Sequence, residues 1–368
     1  MPLPGPNLAI SIEQEIIQML KKFNSKINNS MKFNRLLLVL AVATTGLFSA
    51  CSKDDDATVV IAPSDGSELT LNGGGGTGSP NTVYVDMSTD SATAVKRLSW
   101  SLGFYNGSDY RVILNSFSGM SAKVTTKTDI AAVTTEDASG VSMAIGQGQG
   151  TLSMIDDVYG DLSATVIAEV SATADANYVY LVKTEEGTTD PATWYKVKVT
   201  RNGTTGYTLQ YALLGAATVN TVTITKNTSY NFEFFSFATN AIVNVEPKKA
   251  EWDFAWSYAA YYTATIPYFF SDFVVINQYG GVAAAKVDST VVGYSNFTKA
   301  DTVSLTFSTK RDAIGSSWRS TGTGIYKQYY YIVRDPAGNY YKLKFVSMGI
   351  NDGGERGYPV VEYALIRK

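Results

Sequence analysis

The clearest pattern along the chain is an alternation of apolar and polar residues with a period of two. It is strongest in "NYVYLVK" (177–183), "TWYKVKVT" (193–200), "QYYYIVR" (328–334) and "NYYKLKFV" (339–346), which combine β-branched and aromatic residues. Such alternation is typical of strands with one buried face. "DPAGN" (335–339) has the proline and glycine of a tight turn and predicts a hairpin. The chain is therefore predicted to be all-β, with mainly antiparallel sheets.

These segments occur twice, in the same order. The matched stretches are "VYVDMSTDSATAVKRLSWSLGF" (83–104) and "FFSFATNAIVNVEPKKAEWDFAW" (234–256), "YRVILNSFSGMSAKV" (110–124) and "FVVINQYGGVAAAKV" (273–287), the strand pairs given above, and "YALL" (211–214) and "YALI" (363–366). Ordered matches at nearly constant spacing indicate a tandem duplication. We predict two β domains, at 81–215 and 216–368, each within the usual size of a single domain.

The segment before residue 81 lacks this pattern and divides into three parts. Met31 opens a stretch in which two positive residues precede the apolar run from Leu36 to Ala50, so that 31–50 is predicted to be a signal peptide. The apolar run is shorter than the about 20 residues of a membrane-spanning helix. Residues 1–30 are interpreted as upstream sequence from a wrongly assigned start, although they include a candidate amphipathic helix. Residues 51–80, rich in glycine and polar residues, are predicted to be a flexible tether.

Cys51 is the only cysteine, so it has no intrachain disulfide partner. The small residues Ser49 and Ala50 directly before it resemble a bacterial lipobox, which implies that Cys51 is lipidated and becomes the first residue of the mature protein. The alternative is a free cysteine in a linker. "SKDDD" (52–56) resembles the signal that exports lipoproteins of the Bacteroidetes to the outer face of the outer membrane. This predicts a lipid-anchored protein of the outer membrane that faces outside the cell.

Charge and composition exclude several classes of function. The chain has 30 Lys and Arg against 33 Asp and Glu, for a net charge of −3, so a nucleic-acid partner is not expected. It has no histidine, which excludes Ser-His-Asp catalysis and histidine-ligated zinc or haem. We expect that the protein is not an enzyme, because its sequence has no nucleophile and base at a recognisable spacing. Gly73, Gly75 and Gly78 match a dinucleotide-binding pattern, but neither a preceding strand nor a following helix supports it.

The duplicated segments carry a family resemblance. In the second copy "EWDFAW" (251–256) is followed by an apolar strand that ends at Asn277 and by "YGG"; in the first copy "SWSLGFYNGSDYRVILN" (99–115) has the same layout, with Ser101 in place of Asp253. Together with "YYYIVRDPAGNYYKLKF" (329–345), these residues resemble the HmuY family of haem-binding lipoproteins. The resemblance implies lipid attachment, haem capture and delivery of haem to a TonB-dependent receptor of the outer membrane.

The resemblance leaves the iron ligands open. The best-known members hold iron between two histidines, which this chain lacks, whereas some members resemble a methionine solution. Met120, Met143 and Met154 follow the strand that ends at Asn115, where the family's ligand-bearing loops would be expected, and they are our candidate haem-iron ligands. A tyrosine phenolate is the other ligand type that iron accepts here. The competing interpretation is that buried methionines only fill gaps in a core.

Two further interpretations remain open. Gly146, Gly148 and Gly150 near Met143 predict a flexible loop. Three tryptophans, Trp100, Trp252 and Trp256, are expected in the core more than stacked on a ligand. The alternative function is a structural or adhesive surface module that binds glycan or protein and has lost haem binding along with its histidines.

Overall fold

The computed structural model describes residues 62–185 and 189–367, and the chain from Ala62 onward forms one compact unit. The predictions of a 1–30 extension, a 31–50 signal peptide and a lipidated Cys51 concern residues outside the described ranges. Within the described ranges the structure consists of strands and short 3-10 helices, which confirms the all-β prediction. No helix in these ranges is long and apolar enough to cross a membrane.

The strands, in chain order, are β1 (Gly66–Thr70), β2 (Asn81–Asp86), β3 (Ser91–Lys96), β4 (Leu102–Tyr105), β5 (Val112–Leu114), β6 (Ser121–Val124), β7 (Val179–Lys183), β8 (Tyr195–Asn202), β9 (Gly206–Leu213), β10 (Asn220–Thr225), β11 (Phe232–Ser236), β12 (Ala241–Val243), β13 (Phe254–Thr263), β14 (Ile266–Ile276), β15 (Ala283–Asp288), β16 (Arg319–Ser320), β17 (Gly324–Ile325), β18 (Tyr329–Arg334), β19 (Tyr340–Ser347) and β20 (Val360–Leu365). The 3-10 helices are Ile130–Ala132, Thr135–Ala138, Leu152–Met154, Leu162–Ala164, Ala174–Ala176, Pro191–Thr193, Gln278–Gly280 and Lys299–Ser304.

Each repeat builds most of one five-stranded antiparallel sheet. The first has the order β10-β9-β8-β7-β6 and the second the order β1-β20-β19-β18-β15. The predicted hairpin is confirmed: Tyr331 lies opposite Leu343 in the β18–β19 pair. Its turn is closed by the Asn339 backbone N–H, which donates to Asp335 Oδ1 at 2.7 Å. The local alternation of the sequence is thus sufficient to position these strands.

Two four-stranded sheets combine strands from both repeats. Their orders are β12-β11-β4-β5 and β14-β13-β2-β3. The β2–β3 hairpin of the first repeat joins the second repeat, where Val85 lies opposite Phe254. The β11–β12 hairpin of the second repeat joins the first, where Phe235 lies opposite Leu102. The sequence repeats at 81–215 and 216–368 are therefore interleaved in space, and each contributes a hairpin to the sheets of the other.

The structure also corrects the predicted tether from residue 62 onward, whereas its residues 51–61 fall outside the described residues. Residues 66–70, inside the segment predicted to be flexible, form β1 and pair with β20, where Leu69 lies opposite Val361. Leu71, which follows β1, is fully buried in the core of the second repeat. Gly73 packs so closely that an added Cβ would lie 2.2 Å from the Trp256 ring. Two apolar residues and one close contact therefore order a stretch whose glycine content suggests flexibility.

The exchanged hairpins are held by the cores that they enter. Val83, Val85 and Met87 are fully buried in one cluster with Phe254 and Trp256 of the second repeat. Phe235 and Phe237 occupy the equivalent cluster of the first repeat. Burial of a large apolar side chain contributes about 1.5–3 kcal/mol, so each hairpin is fixed mainly by apolar contacts with the other repeat. The tryptophans 100, 252 and 256 are all buried, as expected for core residues.

Candidate functional site

A pair of equivalent asparagines fixes the frame of the two repeats. Asn115 Nδ2 donates to the carbonyl oxygen of Trp100 at 2.8 Å, and Asn277 Nδ2 donates to that of Trp252, also at 2.8 Å. Both asparagines are almost fully buried. The motif that carries the family resemblance therefore has a structural role, because each asparagine holds the tryptophan-bearing turn against the strand that follows it.

The residue after each tryptophan binds the hairpin that arrives from the other repeat. Asp253 Oδ2 accepts a hydrogen bond from the Met87 backbone N–H at 2.7 Å. In the first repeat Ser101 Oγ accepts one from the Phe237 backbone N–H at 3.1 Å. Asp253 is 1% exposed, and burial raises the pKa of its carboxyl from 3.8 to about 8. The aspartate and the serine thus hold the incoming hairpins in the same way, but only the aspartate can titrate.

The two repeats enclose an aromatic cavity of about 90 Å³. Its lining includes equivalent residues of the two repeats, in the pairs Tyr84 and Phe234, Trp100 and Trp252, Ile113 and Val275, Leu114 and Ile276, and Phe117 and Tyr279. A cavity of about 150 Å³ in a protein core holds a single benzene, and this cavity is smaller. It is therefore too small for a macrocycle, and we assign it to the frame.

Five carboxyl and guanidinium side chains line this cavity, and three of them, Asp156, Glu246 and Arg311, are tied to the frame. Asp156 accepts hydrogen bonds from two backbone N–H groups at 2.6 and 2.8 Å, and burial raises its pKa to about 6. Glu246 accepts two at 2.9 and 3.1 Å, and burial raises its pKa to about 8. Arg311 Nη2 donates to Ser116 Oγ at 2.6 Å. These groups lock backbone turns in place and do not form a reactive cluster.

A larger groove lies where the two repeats differ. The β13–β14 hairpin is far longer than its counterpart β4–β5, and its end reaches the β6–β7 connection of the first repeat. The groove between them has a volume of about 480 Å³. It is lined by Leu152, Ser153, Ile155, Asp156, Asp157, Val158, Tyr159, Ala164, Thr165, Val166 and Tyr262. This volume is within the range of about 300–1,000 Å³ that is usual for small-molecule sites.

Tyrosines form the polar edge of this groove. The hydroxyls of Tyr159 and Tyr262 are hydrogen-bonded to each other. Behind them, Tyr261 donates a hydrogen bond to Asp312 Oδ2 at 2.5 Å, and its ring centroid lies 4.7 Å from that of Tyr262. Lys310 Nζ lies 4.3 Å from the centroid of the Tyr159 ring. The groove thus has an apolar floor and a phenolic rim.

The structure places the three candidate methionines in three different clusters. Met120 is 1% exposed and packs with Tyr180 and Val182 in the core of the first repeat. Met143 is equally buried but packs with Leu181. Because alternate residues of a strand point to opposite faces of its sheet, these two methionines lie on opposite faces, and the structure does not bring them together.

Met154 is closer to the groove. It is half-buried and packs against a cluster that contains Ile155 and Val158, which both line the groove. Met120 borders a small void that the same two residues line. Met120 and Met154 therefore approach the groove-forming loop from two sides, whereas Met143 is separated from it by the sheet.

The HmuY family model matches residues 79–208 and 228–363, one segment in each repeat. The chain belongs to the HmuY family. A solved structure described as the apo HmuY analogue of Tannerella forsythia has 11% sequence identity, with 82% of this chain and 96% of that chain covered and a TM-score of 0.17. A comparison with curated proteins gave no match. The family is one of haem-binding, surface-associated proteins of the outer-membrane lipoprotein type.

Within this HmuY family chain, the glycine-rich loop beside Met143 has a defined turn. The Gly146 backbone N–H donates to Gln149 O at 3.0 Å, and the Gln149 N–H donates back to Gly146 O at 2.9 Å. Gln147 and Gly148 between them have φ of 50° and 91°. Positive φ at both central positions is the geometry of a two-residue hairpin turn, which glycine favours. The predicted loop is present and ends in a tight turn.

The sequence analysis did not single out Tyr159 and Tyr262. The run "SYAAYYTATIPYFF" (257–270) carried a signal, because its tyrosines continue past the length of the matched strand in the first repeat. Across residues 62–185 and 189–367 there is no cluster of carboxylate or thiol side chains that could hold a metal ion. The side chains that line the groove include the phenols of Tyr159 and Tyr262 and no methionine, and Met154 packs beside it.

Proposed function

We propose that this member of the HmuY family captures haem at the cell surface and passes it to a TonB-dependent receptor of the outer membrane. In this proposal lipidated Cys51 anchors the chain, with the repeats facing outside the cell. The family is a binding and uptake family, and no catalytic step is proposed. The observation that supports haem capture most directly is the groove between the β13–β14 hairpin and the β6–β7 connection.

The residues of this groove suit a flat, mainly apolar ligand. Leu152, Ile155, Val158 and Val166 supply apolar surface, and the hydroxyls of serine, threonine and tyrosine residues lie beside it. Sites of this kind combine a hydrophobic wall with a few polar groups that set the orientation of the ligand. When bound, haem would supply an iron atom, and side chains of this chain would hold it.

We propose that the axial ligands include methionine, with Met120, Met143 and Met154 as the candidates. Met154 is favoured by its half-exposed position beside the groove, and Met120 by its place behind the same loop. Met143 could reach the groove only if its loop moved off the outer face of the sheet. A thioether is a soft ligand, so methionine ligation predicts tighter binding of ferrous than of ferric haem and loss of binding after oxidation to the sulfoxide.

The test is a haemin titration of residues 62–368, followed by absorbance in both iron states. Separate repeats are unsuitable, because each lacks a hairpin that the other supplies. Met120→Leu, Met143→Leu and Met154→Leu keep the side-chain volume nearly constant, and Met348→Leu is the matched control in the core of the second repeat. A saturable spectral change that Met154→Leu alters and Met348→Leu does not would support the proposal. Featureless spectra for the unsubstituted chain would contradict it.

A second groove supports the alternative that the protein binds glycan. It has a volume of about 640 Å³ and is lined mainly by tyrosine, threonine, asparagine and lysine, among them Tyr105, Tyr230, Thr205 and Lys249. Aromatic rings beside hydroxyl and amide groups form a surface that sugars can contact. Screening a glycan panel with the unsubstituted chain and with Tyr230→Ala tests this alternative, which predicts binding that the substitution weakens.

A further inference from the structure

The hydrogen bonds of the side chains that line this groove limit which of them can act as iron ligands. Asp156 is engaged by two backbone N–H groups. Asp157 Oδ2 accepts hydrogen bonds from the backbone N–H groups of Tyr159 and Asp161, at 2.9 and 3.0 Å. Both carboxylates are therefore committed to holding the loop. Of the described groove-lining side chains, the phenols of Tyr159 and Tyr262 remain as donors that iron accepts.

The two phenols are positioned by different elements and are not equivalent. Tyr159 is held by its own backbone, because its carbonyl oxygen accepts a hydrogen bond from the Arg311 N–H at 3.1 Å. Tyr262 lies near the tip of the β13–β14 hairpin, opposite Pro267. Either hydroxyl of the pair can donate to the other. Because the Tyr159 backbone is fixed on both sides, with its N–H also donating to Asp157 Oδ2, we assign the donor role to Tyr159 and the iron-binding role to Tyr262.

We propose that the oxygen of Tyr262 binds the iron of ferric haem in this groove as a phenolate, while the Tyr159 hydroxyl donates a hydrogen bond to that oxygen. The inference rests on the proposed haem capture and adds a ligand from the second repeat. On binding, the phenolic proton of Tyr262 is released to solvent, and an oxygen lone pair forms the bond to iron. Tyr159 keeps its proton and acts as a positioning residue.

This ligand has consequences opposite to those of a thioether. A charged phenolate stabilises ferric iron, whereas a methionine sulfur favours the ferrous state. Reduction should therefore weaken the Tyr262 bond. The hydrogen bond from Tyr159 withdraws electron density from the phenolate, so its removal should make the phenolate a stronger donor and lower the reduction potential of the bound haem.

The experiment uses residues 62–368 with Tyr262→Phe, Tyr159→Phe and the matched control Tyr268→Phe. Tyr268 is on the same hairpin and is half-buried, but it is not among the residues that line the groove. We expect Tyr262→Phe to weaken ferric haem binding by at least about tenfold and to change the ferric absorbance spectrum, with much less effect on ferrous haem. Tyr159→Phe should retain binding and lower the reduction potential. Tyr268→Phe should match the unsubstituted chain in each measurement.

The outcomes separate this inference from the proposed function. If the unsubstituted chain binds haem and Tyr262→Phe leaves the ferric affinity and spectrum unchanged, the phenolate ligand is wrong and haem capture stands. If the unsubstituted chain does not bind haem at all, the proposed function fails and the ligand assignment fails with it. Equal changes in Tyr262→Phe and Tyr268→Phe would indicate a general effect on the hairpin and would also overturn the assignment.

Discussion

The two repeats share a frame and differ in what they add to it. Both have the asparagine that holds a tryptophan-bearing turn, and both give a hairpin to the other. The first repeat adds the loop between β6 and β7, with Met143 and Met154, whereas the second extends the β13–β14 hairpin. The candidate groove lies where these two additions meet. Duplication therefore supplied the frame, and divergence between the copies supplied the site.

The exchange of hairpins gives the largest expected effect. A chain limited to 62–215 lacks β10, β11 and β12, and a chain limited to 216–368 lacks β1, β2 and β3. Each would leave strand edges and core residues exposed, so we expect neither to fold alone, while the two mixed together should recover structure. Circular dichroism and thermal unfolding of the separate and mixed fragments measure this. Cooperative unfolding of either fragment alone would show that the exchange is dispensable.

The asparagine pair tests how far the frame is symmetric. Replacing Asn115 or Asn277 with alanine leaves buried carbonyl groups without a donor, which costs about 1–3 kcal/mol for each group. Asn277 also accepts a hydrogen bond from Asn231 Nδ2 at 2.9 Å, so Asn277→Ala should destabilise the protein more than Asn115→Ala. Urea unfolding of both variants gives the difference. If Asn115→Ala lowers the unfolding free energy more than Asn277→Ala, the hydrogen bond from Asn231 does not add stability to the second repeat.

The sequence predicted individual strands and turns better than it predicted which strands pair with each other. Alternation and the "DPAGN" turn were enough for β18 and β19, because a hairpin depends on neighbouring residues. The exchange was not predictable in this way, since β2 and β11 have similar strand patterns and β13 could pair with either. Which strand pairs with β13 depends on contacts between residues that are far apart in the sequence, such as Val85 and Phe254. The predicted tether failed because glycine-rich composition outweighed Leu69 and Leu71.

The candidate site was predictable only in part. The sequence places Met120, Met143 and Met154 in the first repeat, but it did not assign those side chains to faces of the sheet. Met120 and Met143 look equivalent in the sequence, yet the alternation of β7 separates them. Tyr262 was missed because its importance comes from the length of a hairpin that reaches the other repeat. Features that arise between repeats need the three-dimensional arrangement.

The aspartate and serine that hold the hairpins predict a difference in pH dependence. Because burial raises the pKa of Asp253 from 3.8 to about 8, the folded state binds its proton more tightly than the unfolded state. Stability from this group is present at low pH and is lost as pH rises through that interval. The unfolding free energy of the unsubstituted protein should therefore fall between these pH values. Asp253→Asn should remove part of that fall, and Glu246 and Asp156 account for the remainder.

Ser101→Ala is the matched control for that prediction. Ser101 does not titrate, so its loss should cost about 0.5–1.5 kcal/mol by the same amount across the pH range. Urea unfolding at several pH values distinguishes the two variants. If Asp253→Asn and Ser101→Ala give parallel curves, the carboxyl of Asp253 ionises in the folded state as it does in the unfolded state, and the contrast between the repeats has no electrostatic part.

The smallest effect concerns the loops that cover the outer face of each sheet. Lys196 Nζ donates to Val133 O at 3.0 Å in the first repeat, and the equivalent Lys342 Nζ donates to Tyr294 O at 2.8 Å in the second. Replacing either lysine with methionine keeps most of the apolar stem and removes one hydrogen bond, at a cost of about 1 kcal/mol. We expect faster local hydrogen exchange in residues 125–143 for Lys196→Met and in residues 289–304 for Lys342→Met. If Lys196→Met also increases haem affinity, the loop that carries Met143 limits access of that methionine to the groove; if exchange rises and affinity does not change, Met143 is a core residue and the ligands lie elsewhere in the site.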